Sequence, residues 1–255
     1  MTLELQREDT RRDAMALLEK LRPSMLLVFL VGVPVMLLTR WTFFVHEPDF
    51  FERTSPSISK TAAYAPASYL FATGMVATAV FLIISWYIAR RIGSRSIDAL
   101  KPGPSTAWLG ALSGAATVLG AFAGVLLALL AIISLEVSNQ GHMVLSALFY
   151  ASQVTAFILD SAATTWLRRR ARHEGLLGAG VPGNSRIWVC LAVVIAVVFF
   201  LFMFTTKDDG LFDDRMLVQQ VYVTSEYILA TLCLGYAVAG YFDSKPCFDE
   251  LRATE

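Results

Sequence analysis

Apolar residues in this chain come in six long runs rather than in alternation with polar ones, at about residues 25–44, 68–89, 107–135, 143–167, 187–205 and 217–242. As a helix rising about 1.5 Å per residue, each run is of the length needed to cross the ~30 Å hydrocarbon core of a bilayer. The pattern predicts an all-α, polytopic membrane protein, a bundle of six transmembrane helices over residues 24–242. Residues 1–23 are charge-rich, with Ala14, Leu17, Leu18 and Leu21 at helical spacing, which predicts an amphipathic helix on the membrane surface. Residues 243–255 form a short charged tail. The first run lacks a small-x-small exit and follows a charged segment, so it is expected to stay as a span rather than be cleaved as a signal.

The fourth run differs from the rest. His142, Ser146, Tyr150, Gln153, Asp160 and Thr164 recur at spacings that place them on one narrow helical face, and the other faces are apolar. Hydrocarbon cannot solvate such a stripe, so it must face other helices or a cavity. The sixth run carries Gln219, Tyr222 and Glu226 on a polar face. Gln153 and Glu226 fall at similar depths and are expected to be partners in a polar cleft. Asp160 stands about 27 Å along the helix from His142, so these groups cannot make one compact catalytic cluster.

The segments between runs set the topology. Sixteen of the 21 Lys and Arg residues fall on the side of the chain ends and five on the other, which predicts both termini in the cytosol. The stretch from Val45 to Pro66 is a long polar and aromatic loop on the luminal side; His46, Glu47, Asp49 and Glu52 within it read as a solvated loop rather than a cation site. Arg40, near the end of the first span, is expected to be an anchor whose side chain snorkels to the headgroups. Gly110/Gly114 and Gly120/Gly124 in the third run are packing signals that let another helix approach closely. The fifth run, almost pure Val, Ile, Leu and Phe, is expected to be the most lipid-exposed.

Composition agrees with the pattern: 56% hydrophobic and only 16% charged, against about a quarter charged in soluble domains. No basic face accompanies a groove-binding module, so nucleic acid is excluded as a partner. Cys190, Cys233 and Cys247 suggest neither a disulfide nor a metal site, and no cofactor is implied. No lysine lies deep in a span for a retinal Schiff base, and the zinc-protease, serine-hydrolase, acyltransferase and P-loop patterns are absent. The candidates for chemistry are His142 and Glu226, as a base or a proton-transfer group. His142, Gln153, Tyr222 and Glu226 are the expected lipid-binding set. Asp160 is expected to be structural, paired with a basic residue at the cytosolic boundary.

Six spans, a long first luminal loop closing in Pro56-Ser57-Ile58-Ser59, His142 opening the fourth span ahead of Ala147 and Phe149, and Glu226-Tyr227 followed by Asp243 together resemble the DRAM family. That family groups damage-regulated autophagy modulators, FGF-receptor activating protein, the suppressor of four kinase and the post-GPI-attachment factor; the resemblance is greatest to the last. It implies an endomembrane protein of the Golgi or ER, with the plasma membrane as the alternative. The implied role is lipid handling that assists remodelling of GPI anchors, with a membrane lipid and GPI-anchored proteins as partners. It supplies no catalytic residue. Two alternatives stay open: a non-enzymatic regulator that recruits a cytosolic protein through the basic linkers, and a proton-coupled transporter or channel using Glu226 and Asp160.

Overall fold

The computed structural model describes residues 16–53, 55–176, 181–207 and 214–253. Six of its helices are long and apolar enough to cross a membrane. In chain order the described elements are α1 (16–21), α2 (Ser24–His46), α3 (Pro48–Arg53), α4 (Ile58–Thr61), α5 (Ala67–Asp98), α6 (Pro104–Ile132), α7 (Asn139–His173), α8 (Ser185–Thr206) and α9 (Arg215–Ala253). Among the described residues there is no strand. The spanning helices are α2 and α5 to α9, so the chain ends share one face of the bundle and α3 and α4 lie on the other. These are called the terminal face and the loop face below.

Sequence neighbours pack as spatial neighbours. Helices α2, α5, α6, α7, α8 and α9 form a ring in which α9 returns to α2, and the α7–α8 seam is the loosest of the six. Close approach is built with small residues where helices cross. A Cβ on Gly120 of α6 would overlap the Trp86 indole of α5, and one on Gly124 would stand 2.6 Å from Ile83. Gly110 and Gly114 instead face open space, so only the second of the two predicted glycine pairs serves packing within the chain. In the middle of the ring Phe157 of α7 stacks on Tyr236 of α9 at 3.9 Å, and Trp86 lies 6.1 Å from both rings. That aromatic plug ties α5, α7 and α9 together at mid-depth.

Two helix ends depart from the sequence expectation for a reason visible in their hydrogen bonds. The third span was expected to reach residue 135, but α6 stops at Ile132, where the carbonyl of Ile133 is taken up by the ring of His142. Ser138 then starts α7, its hydroxyl accepting from the Gly141 N–H at 3.0 Å. At the terminal face Leu18 of α1 is buried with Met25, Ile88, Ile92 and Phe248, so residues 16–21 pack on the bundle's end. Residues 1–15, and with them Ala14, lie outside the described residues. Cys247 is buried in the same cluster, Cys190 and Cys233 are also buried, and none of the three forms a disulfide.

Candidate functional site: a cavity under the loop face

A cavity of about 460 Å³ occupies the loop-face half of the ring. Its volume falls in the ~300–1,000 Å³ range of small-molecule sites. On α7 its wall is Met143, Ala147, Ala151 and Thr155, spaced four apart and all exposed; on α8 it is Leu201 and Phe204, exposed as well. The exposed residues of both helices make a trough along the loose α7–α8 seam, beside the packed rings of Tyr150, Phe200, Phe204 and Tyr222. From His142 to Thr155 the wall runs 13 residues, about 20 Å of helix. Its depth is apolar, with Met75, Leu127, Val197 and Leu229 among the lining side chains. Its end nearest the loop face is polar: His142, Ser146, Tyr222, Glu226 and Ser59 meet there, with Tyr150 just below.

His142 is 3% exposed and held by one nitrogen. Its Nδ1 lies 2.8 Å from the Ile133 carbonyl, which can only accept, so Nδ1 carries the proton. The other ring nitrogen, Nε2, is buried and has no protein partner. In the neutral ring it is a bare acceptor, on a residue that lines the cavity.

Glu226 meets the loop. The Ile58 N–H at the start of α4 donates to its Oε2 at 3.0 Å, while Ser57 caps the same turn by accepting from the Lys60 N–H. Arg40 of α2 closes the arrangement from the other side: its Nη1 donates to the Pro56 carbonyl at 2.7 Å and its Nη2 to the Ser55 hydroxyl at 3.2 Å. Its guanidinium also lies 5.2 Å from the centre of the Tyr227 ring. Gln219 donates to the Ser55 carbonyl at 3.1 Å. Arg40 is therefore not a snorkelling anchor, as the sequence suggested; it is a clamp on residues 55–56. The neighbouring His46 bonds back to the Thr42 carbonyl at 2.8 Å and is exposed, and among the described residues no cluster of His, Cys, Asp and Glu could hold a metal.

Gln153 departs from the expected cleft. It is 1% exposed, is not among the cavity-lining residues, and neither of its side-chain polar atoms has a partner in the protein. The polar stripe of α7 is thus divided: its first two turns face the cavity, Gln153 is enclosed, and Asp160 and Thr164 turn to α8. There Arg186 donates from Nη1 to Asp160 Oδ2 at 2.7 Å, and the Tyr236 hydroxyl donates to that same oxygen at 2.7 Å. Arg186 also reaches Asp243 of α9, Nε to Oδ2 at 3.4 Å. Asp243 caps α8 from outside its own helix: the Ser185 N–H and hydroxyl donate to Oδ1 and the Arg186 N–H donates to Oδ2. Asn184 at the cap position makes no such bond itself. A side chain on Gly183 would strike the Asp243 carboxylate.

The family model described as the Frag1/DRAM/Sfk1/Cwh43P N-terminal domain matches residues 21–246. The chain belongs to the Frag1/DRAM/Sfk1 family. Neither the curated proteins nor the solved structures give a match. In this Frag1/DRAM/Sfk1 protein the scattered family-like residues turn out to be contact partners. The Pro56–Ser59 segment sits on Glu226, and Asp243 sits on the start of α8. Arg186 is the residue that sequence reasoning missed. It was counted with the basic linker, although an arginine directly ahead of an unbroken apolar run is also placed to turn inward at a helix start.

Proposed function

We propose that this integral membrane protein handles a membrane lipid: the apolar part enters sideways between α7 and α8, and the head is met by His142, Ser146, Tyr222 and Glu226. The observation that carries the reading is the cavity itself, apolar in depth, polar at one end and walled on its α7–α8 side by exposed residues. Assistance to GPI-anchor lipid remodelling is the cellular process we infer, with the loop face toward the lumen and both termini cytosolic, as the distribution of lysine and arginine favours. A Golgi or ER membrane is the corresponding location. The His142 ring and the Glu226 carboxylate bind and orient; no nucleophile–base–orienter arrangement accompanies them among the described residues. The transporter alternative lacks its second station, since Asp160 is engaged by Arg186 and Tyr236 beyond the Trp86–Phe157–Tyr236 plug.

Mass spectrometry of lipids co-purified with the full chain tests the reading. A lipid enriched over the bulk membrane should be retained, and should be lost from Ala147→Trp, which fills the trough from an exposed position. Retention of nothing beyond bulk composition would refute the cavity's role. In cells whose only copy is Glu226→Gln, GPI-anchored proteins should carry altered anchor lipids at normal expression of the variant; unaltered anchors would remove the process assignment and leave the lipid site.

A further inference from the structure

At the terminal face the neighbouring helices α6, α7 and α8 each carry a tryptophan that is more than half exposed: Trp108 and Trp188 near the starts of α6 and α8, and Trp166 just ahead of Arg168. Tryptophan gathers at membrane–water interfaces, so the three mark the bilayer surface on this side. Helix α7 runs seven residues beyond Trp166, to His173, which carries its end about 10 Å further along the axis. This end is packed, with Leu167 and Ala171 buried against Leu100, Leu109 and Val181. Its arginines divide into two pairs. Arg168 donates to the Pro182 carbonyl and Arg170 to Glu174, so both serve the fold. Arg169 and Arg172 are exposed and, among the described residues, make no hydrogen bond or ion pair. The outward side of α7 leads straight to them: Thr155, Ile158, Ala162, Trp166, Arg169 and His173 follow at intervals of three or four residues, all exposed but the half-buried Ala162. The lipid-facing stripe thus passes into cations where the headgroups begin.

We propose that the end of α7 holds an anionic phospholipid of the surrounding leaflet, its headgroup on Arg169 and Arg172 and its chains along the stripe below Trp166. The two arginines are three residues apart and so are neighbours across one helical turn. Both can turn their paired N–H donors to one terminal phosphate, which suits a phosphomonoester such as phosphatidic acid better than a phosphodiester. Between Trp166 and Glu174 the helix has no acid, and Glu174 is already engaged by Arg170 and the Lys101 N–H. Across that tie the exposed Arg95, Asp98 and Lys101 leave the α5–α6 connection net positive as well. A topological signal requires only that positive charge lie on this side; it does not require two unpaired guanidinium groups above the lipid-facing stripe. The site is separate from the cavity, which lies in the other half of the ring, and does not depend on it.

The test titrates the purified full chain in detergent with phosphatidic acid, phosphatidylserine and phosphatidylcholine, and reads bound lipid by native mass spectrometry; with no bilayer, topology does not enter. Phosphatidic acid should bind more tightly than either of the others by about tenfold, and more weakly as salt rises. In the double variant Arg169→Gln, Arg172→Gln its affinity should fall about thirtyfold, the equivalent of ~1 kcal/mol per arginine, with thermal unfolding unchanged because both side chains are exposed. Arg169→Lys with Arg172→Lys should recover only part of the loss; full recovery would overturn the choice of a phosphomonoester. An equal loss in Arg91→Gln with Lys245→Gln, two exposed cations elsewhere on this face, would reduce the effect to net charge and overturn the site. Ala147→Trp should leave phosphatidic acid binding intact, which separates this site from the cavity. Displacement of the lipid by equimolar glycerol 3-phosphate would make the ligand a soluble phosphate and overturn the lipid assignment. Equal binding of all three lipids would overturn the proposal, as would a polyglutamate peptide held by the same two arginines in the absence of any lipid preference.

Discussion

At the scale of single residues, the polar groups inside this bundle are of two kinds. Most are spent on holding helices, and Arg186 is the clearest case, a guanidinium 7% exposed that meets Asp160 on one helix and Asp243 on another. Removing one member of such a buried set leaves the others unpaired. Arg186→Met should therefore lower stability by about 3–5 kcal/mol, read as thermal unfolding in detergent. Arg186→Lys should recover only part of the loss, because an ammonium cannot reproduce the fork that serves two carboxylates. The second kind has no partner in the protein: His142 Nε2 and both side-chain polar atoms of Gln153 belong to it, and of these two residues only His142 lines the cavity. The sequence made the presence of these residues legible, because an ionisable group in an apolar run stands out. It did not reveal their partners. Gln153 and Glu226 matched in depth, but depth along an axis says nothing about azimuth across a bundle, and the two side chains point to different surroundings.

At the scale of elements, hydropathy located all six spanning helices, since a bilayer demands long apolar runs and the chain has no other way to satisfy its backbone within hydrocarbon. The glycine pairs in α6 were less legible. A G-x-x-x-G spacing is the same whether the face meets a neighbour or lipid; only Gly120 and Gly124 meet α5. Gly120→Ala should cost about 1–3 kcal/mol by forcing the Trp86 indole off its stack with Phe157 and Tyr236. Gly110→Ala should be neutral or stabilising by up to about 1 kcal/mol, measured in the same unfolding assay. At the other end of α6, the linker before it is tied to the end of α7 by Glu174, which accepts from the Lys101 N–H at 3.0 Å and from Arg170 at 2.6 Å. The Lys101 N–H foremost, with Arg170 adding to it, holds this carboxyl below the usual glutamate range. Its folded value being the lower one, the tie is complete above the ordinary glutamate pKa and is lost as pH falls through the depressed value. Protection of the Lys101 amide, corrected for the intrinsic exchange rate, should hold at mildly acidic pH and drop only below that ordinary range; a drop beginning near neutrality would contradict the tie.

At the scale of the whole molecule, the ring order makes the cavity. Five seams are well packed and the sixth, between α7 and α8, is pinned toward the terminal face by Asp160 and Arg186 and runs beside the cavity toward the loop face, where the rings of Tyr150 and Phe200 lie 6.3 Å apart across it. Nothing in a linear pattern reports such an opening, because a pocket belongs to the space between elements. Helix α8 looked simply lipid-facing in the sequence, and among its residues only Arg186, Cys190, Val193 and Met203 are buried. Its exposed Leu201 and Phe204 nonetheless form half of the trough. Deleting charge at the pinned end should alter the open end as well: Asp160→Asn, which keeps an acceptor for Tyr236 but weakens the hold on Arg186, should raise lipid exchange at the trough, measured as faster loss of a bound fluorescent lipid from nanodiscs. An unchanged exchange rate would show that the two ends of the seam move independently.

Helix α9 carries one acid nine residues inside its apolar run and another just past its end, Glu226 fastened to the loop turn and Asp243 to the start of α8. Seventeen residues separate them, about 26 Å of rise, so the two fastenings fix most of the height of this helix against its neighbours. Because each carboxylate is bolted to another segment, the bundle cannot shorten or lengthen to suit its host, and mismatch must be absorbed by the surrounding acyl chains or by tilt. Such a rigid gauge should give a melting temperature that peaks sharply across a series of lipid chain lengths; a flat profile would show that the bundle adjusts its own height.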